Sequence, residues 1–405
     1  MNILYIEHYA GSPEMGMEFR PYYLSREWVK MGHSVRIAAG DFSHLRIENP
    51  KVSKDFQVSN IDGIKYSWIK TGEYKGNGVK RALTMFRFVG KLWCHAKGIA
   101  RAWKPDVVIA SSTYPLDTYA AQRIAKYAKA KYIHEVHDMW PSTLYEIGGM
   151  SKTNPFVVVM QIAEDHAYKH CDELVALLPH SKEYMVQHGL RPGKFHNLQN
   201  GVVAEEWLEK KELPDEHREL FARLKDKFIV GYFGGHALSN ALDLILDVAK
   251  KDTDPDTAYV LVGDGVEKER LMRRKKAENI HNVYFLPSVE KKMIPSLTEH
   301  FDCSYMGGLD SPLYRFGLCL NKMYDSMMAG KPVVCAINAE DTLIEQYKCG
   351  YMVDPADIDG IVGAVHDLKN MPETERVQMG NNGRRAILEN FTYNKIAKEM
   401  SDLFE

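Results

Sequence analysis

The sequence predicts an α/β protein with two doubly wound, Rossmann-like domains that face each other across a central cleft. The chain has 405 residues, which is more than a single hydrophobic core usually serves. Short and almost continuously apolar runs alternate with helical stretches, as in parallel sheets that helices cover on both faces. This alternation occurs twice, once in each half of the chain.

The predicted strands of the first half are NILYI, HSVRIAA, DVVIAS, YIHEVHD and ELVALLP, and those of the second half are FIVGYFG, AYVLVG, VYFL, DCSYM and PVVCAI. A turn and a charged stretch with a proline separate the two series and place the domain boundary near residue 201. We expect domains over residues 1–200 and 201–380, and a C-terminal helix over 381–405 that packs back toward the first domain. Because ligands of such sheets bind beyond the carboxyl ends of the strands, the loops there are the candidate sites.

The composition argues against several classes of protein. A formal net charge of −2 argues against nucleic acid as a partner of the whole chain. The six cysteines are scattered without a CxxC pair, so neither a disulfide framework nor a zinc ribbon is indicated, and a reducing, cytoplasmic location is expected. The N-terminal apolar run is broken at Glu7 and His8 and is typical of neither a signal peptide nor a membrane span.

Two patterns resemble metal sites but favour structural roles. Residues 252–257, DTDPDT, lack the glycine and the distant glutamate of a calcium loop, and we interpret them as a solvated turn. His166 and His170 would share one helical face, a spacing that can bind zinc, but no third ligand completes a known pattern. We expect no metal site.

In the first half, two loops after strands carry candidate residues. Gly11 and Gly16 lie in the long connection after the first strand, where glycine lets a backbone approach a ligand, although plain turns would explain them equally well. His137 and Asp138 end a strand beside the predicted cleft, and His137 is a candidate for function, with a structural role left open. We assign His134 to the core.

Residues 75–104 carry eight Lys or Arg residues, no acidic residue, and several aromatic side chains. A solvated helix normally mixes both signs of charge, so this bias indicates that the segment binds an anionic partner. Membrane lipid is a better candidate for that partner than nucleic acid. Arg87, Lys91 and Trp93 are the candidate contacts, and the protein would be peripheral at the inner face of the cell membrane. The alternative is a helix with core aromatics and a solvated basic face.

The second half offers a loop, a short helix and a buried strand in FGLCLNKMYDSMMAGKPVV, residues 316–334. Asn321 is expected to cap this helix, Gly330 to close it, and an apolar strand to follow from Val333. Upstream, FIVGYFGGHALSN is a strand followed by a Gly-rich turn and a helix start, an arrangement that can bind phosphate through backbone N–H groups.

Together with HD at 137–138, QNGV at 199–202, VGDG at 262–265, NVYFLPSV, and the tail CGYMVDPADIDGIVGAV, these stretches resemble the family-4 retaining glycosyltransferases of the GT-B fold. The resemblance extends over nearly the whole chain and is most specific in the C-terminal motifs. Within this family, the sequence resembles the bacterial enzymes that build capsule, O-antigen and other envelope polysaccharides.

The resemblance implies that the second domain binds a nucleotide-diphosphate sugar and the first binds the acceptor. Asp325 aligns with the family's acidic residue at the ribose hydroxyls, Leu286 and Pro287 with the backbone beside the base, and Lys322 with the diphosphate. The implied donor-binding residues are Gly16, Gly235, His236, Asn240, Leu286, Pro287, Arg315, Phe316, Gly317, Leu318 and Asn321. His137, Lys322 and Asp325 are the implied catalytic set.

The sequence also departs from the family pattern. Gly317 stands where many members have a first glutamate, and Gly235 and Asn240 align with the usual Arg and Lys. A leaving diphosphate needs its charge stabilised, so we assign this role to Lys322, with Arg315 and His236 as helpers.

We therefore predict retaining transfer of a hexose-type sugar, N-acetylated and deoxy sugars included, from a nucleotide diphosphate, expected to be UDP. The acceptor would be a lipid-linked saccharide, and no cofactor or metal is obligate. Two other classes stay open: a nucleotide-sugar epimerase or hydrolase of the same fold, and an inactive membrane-associated partner protein.

Overall fold

The computed structural model describes residues 1–16, 19–76 and 78–405. The chain divides into two compact units. The first unit comprises Met1–Asn200 with Tyr393–Glu405, and the second comprises Gly201–Thr392.

The first unit contains an eight-stranded sheet within its described residues. Its strands are β1 (Asn2–Ile6), β2 (Ser34–Gly40), β3 (Gln57–Ile61), β4 (Ile64–Ile69), β5 (Val107–Ala110), β6 (Lys131–Val136), β7 (Glu173–Ala176) and β8 (Phe195–Asn197). They lie in the order β3-β4-β2-β1-β5-β6-β7-β8, and every pair is parallel except β3 with β4. From β1 the chain adds strands toward one edge of the sheet, and from β5 it adds them toward the other edge. The position between β1 and β5 is therefore the topological switch point, where ligands of such sheets bind, and the loops after these two strands flank it.

Helices cover this sheet on both faces, as predicted. They are α1 (Phe19–Lys30), α2 (Val79–Trp103), α3 (Asp117–Ala128), α4 (Ser142–Glu146), α5 (Pro155–His170) and α6 (Lys182–Gln187). The central strands β1 and β5 are buried almost throughout, which explains their continuous apolar sequence.

The antiparallel hairpin of β3 and β4 was absent from the sequence prediction. Its turn pairs Ile61 with Ile64 around Asp62 and Gly63, whose φ angles are 51° and 84°. An Asp-Gly pair between alternating residues is a strong hairpin signal, because both central positions of the turn need positive φ. The short strand β8 was also missed.

The second unit contains a six-stranded parallel sheet within its described residues, in the order β11-β10-β9-β12-β13-β14. Its elements are α7 (Asp215–Arg223), β9 (Phe228–Phe233), α8 (Leu242–Lys251), β10 (Thr257–Val262), α9 (Lys268–Ala277), β11 (Val283–Leu286), α10 (Ile294–Glu299), β12 (Cys303–Gly307), α11 (Asn321–Met328), β13 (Val333–Ala336), α12 (Leu343–Gln346), β14 (Gly350–Met352), α13 (Ile358–Asn370) and α14 (Glu373–Asn390). The prediction of a doubly wound α/β fold is confirmed, and β14 is the strand that it missed. The switch point lies between β9 and β12.

The last helix, α15 (Tyr393–Ser401), returns to the first unit. Trp28 Nε1 donates a hydrogen bond to the Ala397 carbonyl at 2.9 Å, and the Trp28 and Phe404 rings lie 5.3 Å apart. The single helix expected over 381–405 is thus two helices, of which only α15 belongs to the first unit. The break is fixed at Thr392, which forms an isolated parallel bridge with Val202.

Candidate functional site

The loops after β9 and β12 meet at the switch point of the second sheet. The backbone N–H of Leu309, after β12, donates to the Ser239 carbonyl, after β9, at 3.3 Å. Residues 308–320 continue from there to the start of α11, which carries Lys322 in its first turn and Asp325 one turn further on. These two loops and α11 therefore build one polar site at the carboxyl edge of the strands.

Lys322 is partly buried, and its ammonium donates a hydrogen bond to Asn240 Oδ1. The same Nζ lies 5.0 Å from the ring centroid of Tyr232 on β9. Burial lowers the pKa of Lys322 to about 8. A desolvated ammonium with a neutral partner can stabilise an incoming anion strongly, because no carboxylate among the described residues forms an ion pair with it.

Asp325 is partly buried on the same helix. Burial raises its pKa, and Lys291 opposes this rise. Among the described residues, no hydrogen-bond donor to its carboxylate oxygens is present. Such a carboxylate can accept two hydrogen bonds from a pair of neighbouring hydroxyl groups.

Two glycine-containing loops interlock beside these residues. Gly263 and Gly265 have φ angles of +151° and +156°, and a Cβ at these positions would lie 1.9 Å from the Gly234 carbonyl and 2.4 Å from the His236 carbonyl. The His236 N–H donates to the Asp264 carbonyl at 2.8 Å. Glycine is therefore required at positions 263 and 265 for the two loops to pack together.

His236 is fully buried between these loops, and neither ring nitrogen has a hydrogen-bond partner in the described part of the chain. Burial and the nearby charge of Lys268 lower its pKa to about 4. The expectation that His236 supplies positive charge is therefore corrected, because a buried and neutral imidazole offers only a hydrogen bond.

Three further donor-binding predictions change with the structure. Arg315 is exposed, with its guanidinium 4.3 Å from the Phe316 ring centroid and Nη1 donating to the Pro312 carbonyl. Gly317 has a φ of 90°, and its N–H already donates to the Tyr314 carbonyl at 2.9 Å, so it is not available to a diphosphate. Asn321 begins α11, and Leu320 occupies the cap position without a side-chain hydrogen bond. Gly330, with a φ of 71°, does close the helix.

The carbonyl groups of Leu286 and Pro287 are engaged within the protein. Leu286 accepts hydrogen bonds from Lys268 Nζ at 3.0 Å and from the Gly263 N–H at 3.2 Å, which uses both of its lone pairs. Pro287 accepts one from His217 Nε2 at 3.1 Å. A nucleotide base beside this strand end would therefore find one remaining lone pair, on the Pro287 carbonyl. Leu318 is buried in an apolar cluster with Met306 and Ile337.

In the first unit, His137 follows β6 and has only 11% of its side chain exposed. Its Nε2 lies 2.7 Å from Ser111 Oγ, at the end of β5, and 3.2 Å from Glu135 Oε2. His134 is buried in the core, as predicted, and burial lowers its pKa to about 4. Gly16 has a φ of 71° and packs against Ile47. This conformation and close contact explain why the position is glycine, and no ligand is needed to explain it.

Sequence reasoning missed the buried ion pair behind His137. Glu135 is fully buried on β6, and Arg20 on α1 donates to its Oε1 at 3.0 Å. A charged residue inside an apolar strand run was the available signal, since a buried carboxylate normally has a partner. The partner lies 115 residues away in sequence, and no local pattern identifies it.

The basic segment forms α2, whose outward stripe is apolar in its first half. Val79, Leu83, Phe86 and Trp93 are 77%, 46%, 46% and 41% exposed. Lys91, in contrast, is paired with Asp55 at 2.8 Å, so it is not the free cation that the sequence suggested. Arg87 is exposed and donates to the Thr71 carbonyl at 3.0 Å. No helix in the described ranges is both long and apolar enough to cross a membrane.

The possible metal patterns do not form a site. His166 Nε2 lies 2.8 Å from Gln122 Oε1, and His170 Nδ1 lies 2.8 Å from the His166 carbonyl, so both rings have other partners. Asp254 Oδ1 in the acidic turn accepts the backbone N–H of Asp256 at 2.9 Å, and Asp254 pairs with Lys369, as in a solvated, ion-paired turn.

Comparisons with known proteins agree with this architecture. The model of Glycosyltransferase Family 4 matches residues 15–206, and that of Glycosyl transferases group 1 matches residues 215–386. The two Rossmann-like units and the two family matches together define a glycosyltransferase of the GT-B type. The chain belongs to the family-4 type of these enzymes, while a search of curated proteins found no match.

Solved structures of the same fold cover almost the entire chain. Sucrose-phosphate synthase from Thermosynechococcus elongatus is 14% identical with a TM-score of 0.75, and the match covers 100% of this chain and 98% of that one. Anabaena HepE in complex with UDP and glucose is 16% identical with a TM-score of 0.67, over 99% and 98% of the two chains. An E. coli structure described as trehalose-6-phosphate bound with UDP-2-fluoro glucose is 12% identical with a TM-score of 0.74, over 100% and 99%.

Proposed function

We propose that this glycosyltransferase moves a hexose-type sugar from a UDP-sugar, with retention of configuration, to a lipid-linked saccharide in bacterial envelope polysaccharide synthesis. N-acetylated and deoxy sugars fit the same proposal. The enzyme would act at the inner face of the cell membrane. The observation that carries the proposal is the pairing of Lys322 with Asn240 beside Asp325 at the switch point of the second unit.

The chemistry of that site matches a nucleotide diphosphate. The Lys322 ammonium can leave Asn240 for a diphosphate oxygen, and the Asp325 carboxylate can accept both ribose hydroxyl groups. The buried and unsatisfied His236 ring can donate to a phosphate or sugar oxygen. Relatives of the same fold bind UDP, UDP-glucose or UDP-2-fluoro glucose, which supports UDP as the nucleotide.

In the reaction, the bond between sugar C1 and the diphosphate oxygen breaks, and a bond from C1 to the acceptor oxygen forms. The acceptor hydroxyl gives its proton to the departing phosphate on the same face of the sugar. Lys322 stabilises the charge that develops on the diphosphate. The proposal therefore includes no metal ion and no cofactor.

The test of this function is a thermal-shift screen with UDP, GDP and their sugar derivatives, followed by product analysis. We expect UDP and one UDP-sugar to raise the melting temperature, because a ligand that binds only the folded state stabilises it. With an acceptor present, the sugar should appear on the acceptor. Free sugar or an epimer of the donor would indicate a hydrolase or an epimerase, and no shift with any nucleotide would indicate an inactive protein.

His137 is proposed to orient the donor sugar or the acceptor. His137→Ala should lower kcat by about a hundredfold, since misplaced reactants lose much of the advantage of proximity, and UDP affinity should not change. Steady-state kinetics and calorimetry with UDP measure the two effects separately. The control is His196→Ala, which removes a histidine of the same sheet that pairs with Glu173 at 2.9 Å. Equal losses of turnover and UDP affinity in His137→Ala would indicate a structural role.

The apolar stripe of α2 is proposed to contact the membrane, with Arg87 and neighbouring basic residues at anionic headgroups. Leu83→Glu combined with Phe86→Glu should abolish co-sedimentation with vesicles that contain anionic lipid, because acidic side chains oppose both insertion and charge attraction. The control is Val377→Glu with Leu388→Glu on α14, which places the same charges at aliphatic positions that are 49% and 40% exposed. If the wild-type protein stays in the supernatant at low salt, the proposed membrane contact is wrong and a soluble acceptor is favoured.

A further inference from the structure

The carboxylate of Glu135 is surrounded by hydrogen-bond donors. Tyr5 Oη and Ser111 Oγ both donate to its Oε2, the latter at 2.6 Å. Arg20 Nε and Nη2 both lie 3.0 Å from its Oε1. Despite full burial, the Arg20 guanidinium, together with hydrogen bonds from His137 and Ser111, holds the pKa of Glu135 well below its usual range. The ionised carboxylate can therefore only accept hydrogen bonds.

This network determines which nitrogen of His137 carries the proton. Ser111 has one hydroxyl proton and gives it to Glu135, so at 2.7 Å from His137 Nε2 its oxygen is left to accept. Glu135 Oε2, at 3.2 Å from the same nitrogen, is also an acceptor. If His137 Nε2 carried a lone pair, that lone pair would face two acceptor oxygens, of Ser111 and Glu135. An Nε2–H group can instead donate a hydrogen bond to these oxygens. The hydrogen-bond network thus assigns the proton to Nε2.

We propose that Glu135 is a positioning residue for His137, and that with Ser111 it holds the His137 imidazole as the Nε2–H tautomer during glycosyl transfer. The inference rests on the proposed role of His137 in glycosyl transfer. It predicts that the tautomer of His137 changes when either acceptor of its Nε2–H group is removed.

Arg20 extends this network to the end of the first unit. Its Nη2 donates to the Leu198 carbonyl at 2.9 Å and its Nη1 to the Gln199 carbonyl at 2.7 Å. These residues lie three and two positions before Gly201, where the second unit begins. One guanidinium therefore fixes both the carboxylate behind His137 and the segment that leads out of the unit. A substitution of Arg20 would disturb both Glu135 and the segment before the second unit. Substitutions of Glu135 and Ser111 therefore test the tautomer of His137 more specifically.

The tautomer can be read directly by NMR on full-length protein labelled with 15N-histidine, with the His137 signals assigned by their loss in His137→Gln. We expect the Nε2–H pattern in the wild type. In Glu135→Gln the side-chain amide can donate to Nε2, so a signal of the Nδ1–H tautomer should appear. If Glu135→Gln does not fold, Ser111→Ala, which removes the hydroxyl at 2.7 Å from Nε2, should weaken the preference in the same direction.

Kinetics give a second measurement. Glu135→Gln should lower kcat by about 10- to 100-fold, the range typical of residues that orient an active group, with UDP affinity unchanged. The double variant with His137→Gln should be no slower than His137→Gln alone, because both changes remove one function. The matched control is Glu173→Gln, which alters another carboxylate–histidine pair of the same sheet and should leave kcat unchanged.

A wild-type ring with the proton on Nδ1, or a Glu135→Gln ring whose tautomer is unchanged, would overturn the inference. Since the NMR measurement needs no substrate, it decides this point even if no donor sugar is ever transferred. A predicted tautomer together with an inactive enzyme would leave the positioning role of Glu135 in place and contradict only the proposed function.

Discussion

Lys322→Met should lower the turnover of sugar transfer by about a hundredfold or more, the loss typical when one preorganised donor to a developing anion is removed. The substitution keeps the length of the side chain and its contact with Tyr232 while removing the charge. Arg315 cannot compensate from its observed position, because its guanidinium lies on the Phe316 ring and donates to Pro312. His236 is neutral and cannot supply the missing charge.

The pH dependence of UDP binding gives an independent measure of Lys322. Burial places its pKa at about 8 in the free protein, and a bound diphosphate favours the protonated form, so binding takes up a proton above that pH. UDP affinity should therefore fall by about tenfold between pH 7 and pH 9. Calorimetry with Lys322→Met should show weaker binding and no such decline.

Lys331→Met is the matched control for Lys322. Lys331 is also partly buried, and burial lowers its pKa, but it precedes β13 at the opposite edge of the sheet and donates to the Glu299 carbonyl. Its removal should leave UDP affinity and its pH dependence unchanged. Wild-type turnover in Lys322→Met would remove Lys322 from the reaction.

Asp325→Ala should weaken UDP binding by about 10- to 100-fold, because hydrogen bonds to a charged acceptor are each worth roughly 1.5–3 kcal/mol. Isothermal calorimetry measures the loss directly. The control is Asp359→Ala, which removes an exposed carboxylate from the first turn of α13. Unchanged UDP affinity in Asp325→Ala would exclude Asp325 from the ribose site.

The same variant should keep or increase its stability without ligand. Burial raises the pKa of Asp325 above its unfolded value, so its ionisation opposes folding at neutral pH, and this cost disappears as the pH falls below the unfolded pKa. The melting temperature of Asp325→Ala at pH 7 should therefore equal or exceed that of the wild type. A fall of many degrees would indicate that Asp325 has a structural role and that its effect on binding is indirect.

The sequence predicted the fold class because parallel sheets need continuous apolar strands, and ten such runs stand out in the chain. The elements it missed have weaker patterns: β8 and β14 are three residues each, and β3 and β4 lie at one edge of the first sheet. The Asp62-Gly63 turn would have identified that hairpin. The break at Thr392 depends on pairing with Val202, nearly 200 positions away, which no local signal indicates.

The candidate site was predictable to the extent that it lies in contiguous motifs. Lys322 and Asp325 belong to one short helix, and Asn240 follows a Gly-rich turn, so motif alignment places all three at strand ends. The neutral state of His236, the ion pair of Lys91 with Asp55, and the Arg20–Glu135 pair depend on burial and on contacts between distant segments. Hydrophobic periodicity contains no information about these contacts.

The most direct test is a crystal structure of the protein with UDP. We expect the diphosphate within hydrogen-bond distance of Lys322 Nζ, displaced from Asn240, and the ribose hydroxyls on the Asp325 carboxylate. A cavity of about 700 Å³ between α7 and α9, which Lys275 and Tyr284 line beside β11, offers another cation and an aromatic ring. UDP bound there, with the site at Lys322 and Asp325 unoccupied, would contradict the assignment of the donor site.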